Sequence, residues 1–211
     1  TTGGIIYVGQ NRTWALNQQY LLTYNNTFGE HSVDVLAGFE SYDYKYQYIN
    51  GSKENLYNPN IDEIDNAISK PQVSSATDNY MTQGILARVQ YNYANKYFGS
   101  LSYRRDASSR FAPENRWGNF WSIGGGWLMN KEAFLEDQKW IDMLKFKMSY
   151  GVQGNDNLVS GNYYYYQDQY RVADSNGNFA LSMYYKGNPD ITWETSHSFN
   201  TGFDFEFFGN R

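Results

Sequence analysis

Two histidines, His31 and His197, are the residues of this 211-residue chain best placed by type to move protons near neutral pH. There is no cysteine, so a hydroxyl nucleophile would need a histidine held between a serine and a carboxylate. His31 falls in a short predicted turn, and His197 shares parity with a row of phenylalanines, so neither is expected to be held that way. Asp204 and Glu206 stand two apart, which on a strand puts two carboxylates on one face about 7 Å apart, within a glycosidase's range. A charged strand wall facing water needs the same pattern and is the preferred reading. Asp62, Glu63 and Asp65 offer oxygens, but their spacing does not follow the twelve-residue calcium loop. Gly124-Gly125-Gly126 lacks the G-x-G-x-x-G spacing and reads as a strand thinned for close backbone approach. No catalytic residue, metal ligand or cofactor is expected.

Recognition has better candidates. Tyr163, Tyr164, Tyr165 and Tyr166 are consecutive, and tyrosine offers large amphipathic area at low entropic cost. They suit the capture of sugar or peptide, or the docking of a protein. Alternating core and surface rings would give the same run, and both readings stay open. Arg104, Arg105, Asp106, Arg110 and Arg116 gather at one loop. A self-satisfied Arg–Asp network is the favoured reading there, with Arg105 and Arg110 as the candidate contacts to substrate or partner.

The elements that must position these residues are strands. Leu144–Gln153 alternates strictly: Leu144, Phe146, Met148, Tyr150 and Val152 on one face, polar residues or glycine on the other. Trp193–Phe207 and Met81–Tyr93 do the same, Leu86 excepted. Four weaker segments share the pattern, around Trp14–Tyr24, Val33–Phe39, Tyr97–Asp106 and Trp117–Leu128. Asn50-Gly51 and Asn176-Gly177 read as tight turns inside the loops Gln47–Tyr80 and Gly154–Ile191, with an extra hairpin from Tyr163–Ala173 and Asn178–Lys186. Lys131–Met143 fits either a short helix or an ordered turn.

Composition looks contradictory until these faces are separated. Aromatics make up 19% of the chain, yet its mean hydropathy is −0.72. Several strands run to ten or more residues, longer than soluble sheets favour. Rings mark their ends: Trp14 and Tyr24, Trp117 and Trp127, and Trp193 and Phe203 stand ten residues apart. Ten residues tilted as in a barrel project to about 25 Å, the height of an outer-membrane barrel's apolar band. Short and long connections alternate, as periplasmic turns and extracellular loops do, with Met129–Met143 breaking the rhythm. The expectation is an all-β chain, an antiparallel transmembrane β-barrel segment of about seven long strands with long extracellular loops. Its apolar face meets the lipid bilayer and its polar face a lumen. The alternative is a soluble or surface β-sandwich that binds carbohydrate on exposed rings. A net charge of −5 argues against a nucleic-acid partner.

Several blocks resemble the SusC/RagA-type TonB-linked outer-membrane transporters. They are Leu101–Phe111, Arg116–Gly124, Lys145–Asp156 and Gly187–Glu194, followed by the strand and turn of Asn200–Arg211. They occur in the family's order, and Ala107 departs from it where glycine is common. The first hundred residues resemble the family in texture alone. The resemblance implies a 22-stranded barrel with an N-terminal plug, TonB-driven energy, and a lid-like SusD-type surface lipoprotein that captures glycan or peptide pieces. Seven strands cannot close such a barrel, and open edges are not viable in lipid. Residues 1–211 are therefore expected to be one part of the barrel domain, from its C-terminal half, lacking the plug, in the outer membrane of a Gram-negative bacterium.

Overall fold

The computed structural model describes residues 3–135, 137–158 and 162–209. It contains nine strands: β1 (Ile5–Phe28), β2 (His31–Leu56), β3 (Ala67–Tyr93), β4 (Tyr97–Ser108), β5 (Trp117–Leu128), β6 (Ile141–Asn155), β7 (Gln169–Ser175), β8 (Asn178–Tyr185) and β9 (Glu194–Phe207). Seven of them form one sheet in the order β1-β2-β3-β4-β5-β6-β9, and β7 pairs with β8 apart from it. These seven are the seven long strands of the sequence pattern. A sandwich needs two packed sheets of comparable size, so that alternative is set aside.

The residues divide into two compact units. In the larger, residues 18–41 and 82–209, antiparallel register is nearly one to one from β3 to β9. Leu101 faces Val89 and Ile123 on its two sides, and Tyr103 faces Ala87 and Trp121. Ser102 faces Arg88 and Ser122, and Lys145 faces Asp204. Each strand's apolar row thus meets the next strand's apolar row, which a slip of one residue would destroy. The apolar side is well exposed, with Leu101 at 52%, Ile123 at 53% and Phe203 at 57%. The opposite side carries Ser, Gly, Asn and charges. One irregularity, between Ile141 and Met143, shifts the start of β6.

Leu86, out of step in the sequence, stands on the polar side where Gly38 makes room for it. A Cβ at Gly38 would come within 2.6 Å of Leu21 Cδ2 and 3.4 Å of Leu86 Cγ. The glycines of Gly124–Gly126 differ from the expectation. Added side chains there would press on Ser100 Oγ at 2.8 Å and Lys145 Cε at 3.1 Å, so the close neighbours are side chains rather than backbone.

Tight connections join the strands at one end. Ala94 and Asn95 both take positive φ, 52° each, the combination a two-residue hairpin turn requires. Lys131–Met143 is a turn and not a helix. Four successive four-residue turns are closed by Glu132 N–H to Met129 O, Leu135 to Glu132, Gln138 to Leu135 and Ile141 to Gln138. Glu132 holds this turn to the sheet, accepting from the Tyr97 hydroxyl at 2.5 Å and the Trp127 indole N–H at 3.0 Å. The Tyr97 bond, ahead of the Trp127 bond, holds the Glu132 carboxyl below its ordinary value. Tyr93, Tyr97 and Trp127 stack in sequence at 6.2 and 6.5 Å, forming a ring belt at this end.

The smaller unit comprises residues 3–17 and 42–81. The segment Gln47–Tyr80, expected as a loop, is mostly strand: β2 runs to Leu56 and β3 starts at Ala67. Asn50-Gly51 lies within β2 and makes no turn. Neither residue adopts the positive φ that such a turn needs, because hydrogen bonding to strands on both sides overrides the local preference. The reversal instead occurs around Asn58–Asn66, where the Asn66 side chain donates to Asn58 O at 2.6 Å and Ile61 O at 3.0 Å.

Candidate functional site

At the end of the larger unit opposite the short turns, three connections pack into one knot. They are the segment after β4, the segment after β6 and the segment before β9. Phe111 and Tyr165 are fully buried, at 0% exposure. Their rings meet edge to face at 6.2 Å, Phe111 meets Trp193 at 5.4 Å, and Trp193 meets Phe120 at 5.1 Å. Phe120 lies over bare backbone: a Cβ on Gly154 would sit 2.1 Å from its ring, and one on Gly118 2.4 Å. Those two glycines are therefore what lets β5 lay a ring flat across the polar side.

Hydrogen bonds close the knot. The Ser108 hydroxyl, 1% exposed, donates to Asp156 Oδ2 at 2.6 Å and accepts from the Arg110 N–H at 3.2 Å. The Tyr165 hydroxyl donates to Asp156 O at 2.5 Å, and burial, ahead of its charged neighbours, raises its phenol above the ordinary value. The Trp193 indole donates to Arg116 O at 2.8 Å, and Arg116 Nε donates to Phe111 O at 3.0 Å. Asn115 donates to Pro189 O at 2.9 Å, and the Thr192 hydroxyl returns to Asn115 O at 3.1 Å.

The sequence candidates take separate positions. Tyr163, Tyr164 and Tyr166 are half-buried at the knot, whereas Tyr165 supports it from inside. Arg110 lies over the Tyr163 ring at 4.9 Å and donates to the Asn157 side chain. Arg104 ties Asp106, through Nε at 2.7 Å, to Glu40, through Nη2 at 2.7 Å, so the expected Arg–Asp network exists. Arg105 is not part of it. It pairs with Ile85 and Asn119 on the apolar side, with its guanidinium 5.0 Å from the Trp117 ring centre. Arg105 and its neighbour Arg104 face opposite ways, as adjacent residues of a strand do. Asp204 pairs with Lys147 at 2.6 Å, in keeping with a charged wall. His31 meets the Tyr91 hydroxyl at 2.6 Å, and His197 the Tyr150 hydroxyl at 2.8 Å.

Below the knot the polar side forms a recess of about 560 Å³, floored by Ser102, Ser122, Ser149, Gly151 and Ser198 and edged by Arg104 and Asp106. It offers hydroxyls, amides and one paired guanidinium. Sequence reasoning missed Ser108 and Asp156 as partners. They are 48 residues apart, and neither sits in a pattern that marks burial.

The hairpin of β7 and β8 rises from the same long connection. Asn176 and Gly177 turn it, with φ of 55° and 80°. At its base Asp168 accepts from Lys186 Nζ and from the Gly187 N–H, each at 2.8 Å. One face presents Tyr170, Val172, Phe179, Leu181 and Met183, all more than half exposed.

No family model matches the chain. It is 30% identical over 205 residues to TonB-dependent receptor P39 of Formosa agariphila, covering 95% of this chain and 20% of that protein. It is 28% identical over 207 residues to TonB-dependent receptor SusC of Bacteroides thetaiotaomicron, covering 92% and 20%. The structure of the RagAB peptide transporter superposes with a TM-score of 0.81 at 26% identity, over 97% of this chain and 23% of that one. The RagAB peptide importer in its "open-open" state superposes at 0.75. The chain thus spans about a fifth of the length of these curated relatives. By sequence over 95% of its length and by fold over 97%, the chain matches one stretch of the TonB-dependent receptors of the SusC/RagA type.

Proposed function

We propose that the protein to which this chain belongs imports glycan or peptide oligomers across the outer membrane of a Gram-negative bacterium. In this reading the chain supplies wall and outer loops, the TonB complex supplies energy through a plug region, and a SusD-like surface lipoprotein closes the outer mouth. The observation that carries it is the division of the sheet into an exposed apolar side and a polar side in nearly one-to-one register. That division suits lipid on one face and a hydrated lumen on the other. Similarity to SusC and to the RagAB peptide transporter supports the same reading.

The cargo contacts assigned here are Tyr163, Tyr164 and Tyr166, with Arg110 steadying Tyr163 and Tyr165 holding the loop from beneath. The test is calorimetric titration of the full-length protein, with its lipoprotein, against oligosaccharide and oligopeptide pools. Uptake is followed in cells with and without a working TonB complex. Binding that weakens when all three tyrosines become alanine, with uptake that needs TonB, supports the reading. Uptake indifferent to TonB would end it.

A further inference from the structure

We infer that the apolar side of β3–β5 carries a site for the phosphate of an anionic lipid headgroup, centred on Arg105. This rests on the outer-membrane reading above. The site is built from donors. Arg105 stands in the row of Tyr97, Leu101 and Tyr103, and it is exposed. Its cross-strand neighbours are Ile85 and Asn119, and the flanking pairs on this face are Ala87 with Tyr103, Tyr103 with Trp121, Gln83 with Ala107, and Ala107 with Trp117. None is acidic, and among the described residues Arg105 takes part in no ion pair. The charge meets the Trp117 ring instead, at 5.0 Å. The Tyr103 hydroxyl donates to Asn119 Oδ1 at 2.7 Å, and Asn119 is the cross-strand partner of Arg105. The guanidinium thus lies over the Trp117 ring, with an uncharged cross-strand neighbour on each side, where an anion would find no opposing carboxylate.

Height decides which anion. Eight residues separate Arg105 from Tyr97 of the ring belt, about 26 Å along the strand and roughly 20 Å across a membrane when tilted as barrel strands are. A long side chain leaning up to Trp117 brings its charge to the outer border, where the cost of a lipid-facing arginine falls nearly to zero. The anions fixed at that border are lipid phosphates, and arginine's planar fork matches phosphate oxygens. On the other side of the same strand Arg104 is already held by Asp106 and Glu40, so the two adjacent arginines have opposite roles.

The experiment uses the full-length receptor in nanodiscs of equal parts phosphatidylcholine and phosphatidylglycerol, with retained lipids counted by native mass spectrometry. Wild type should keep phosphatidylglycerol in preference to phosphatidylcholine. Arg105→Gln should weaken the tightest retained phosphatidylglycerol roughly five-fold, the effect of one basic residue at a membrane surface. Arg105→Lys should recover part of it, and Arg171→Gln, which removes a hairpin charge, should change nothing. Heat-modifiable gel mobility confirms that each variant folds. Unchanged retention in Arg105→Gln overturns the inference while leaving import untouched. Equal displacement by inorganic phosphate overturns the lipid assignment. A receptor absent from the outer-membrane fraction would overturn the import reading, and this inference with it.

Discussion

The knot and the hairpin share one long connection and are both rich in rings, yet they have opposite physics. In the knot, Phe111 and Tyr165 lose all contact with solvent, and the Ser108 and Tyr165 hydroxyls both have partners. In the hairpin, Phe179 is 92% exposed and Leu181 70%. What separates them is the number of strands and segments that converge: three connections around Phe111, two strands alone around Phe179. A ring becomes core when neighbours arrive from several directions, and an isolated two-stranded hairpin cannot supply them.

That contrast can be broken in order of expected size. Phe111→Ala should cost about 3–5 kcal/mol of local stability, because a fully buried ring leaves a cavity. Phe179→Ala should stay within about 0.5 kcal/mol. Limited proteolysis of the full-length receptor reads both: cleavage in the segments around Phe111 should rise sharply for the first and stay flat for the second. Equal protease sensitivity of the two variants would erase the distinction.

Ser108→Ala strips Asp156 of a buried donor and the Arg110 N–H of its acceptor, and should cost about 1–3 kcal/mol. Faster hydrogen exchange at Arg110 checks it. Tyr165→Phe keeps the ring packing and removes one bond to Asp156 O, for about 1 kcal/mol. Its thermal midpoint should fall less than that of Ser108→Ala.

The smallest effect belongs to the hairpin base. Asp168 is held below its ordinary value, chiefly by the hydrogen bond from Lys186 and then by the Gly187 N–H. A depressed carboxyl contributes stability above its unfolded pKa, near 3.9, and loses it as pH falls through the lower folded value. Lys186 is raised, chiefly by the Asp168 hydrogen bond, so its share is lost only as pH climbs through its elevated value. Exchange protection of the Gly187 amide should therefore be flat through neutral pH and fall below the ordinary carboxylate range. Both groups face water, so Asp168→Asn should shift that protection only slightly.

Much of the sheet was legible because period-two alternation is written directly into strands such as Leu144–Gln153. All seven long strands stand where parity put them. The outer ends of β2 and β3 were not legible, because Asn50-Gly51 carries a strong local turn signal that pairing on both sides overrides. The knot was half legible: Tyr165 and Arg110 stood out by type, but their burial depends on Ser108, Asp156 and Trp193, which meet across dozens of residues. Parity, rather than the charge cluster along the chain, sets the way Arg105 faces.

The nearly one-to-one pairing of β4, β5, β6 and β9 also governs which genetic changes this wall can survive. Inserting or deleting one codon within Leu101–Tyr103, Trp121–Ile123 or Met148–Tyr150 would invert every side chain beyond it, turning serines outward and rings inward. Length variation must therefore accumulate in the connections, where an extra residue reorients nothing downstream. A diverging lineage would keep the wall at constant length and vary by resizing loops.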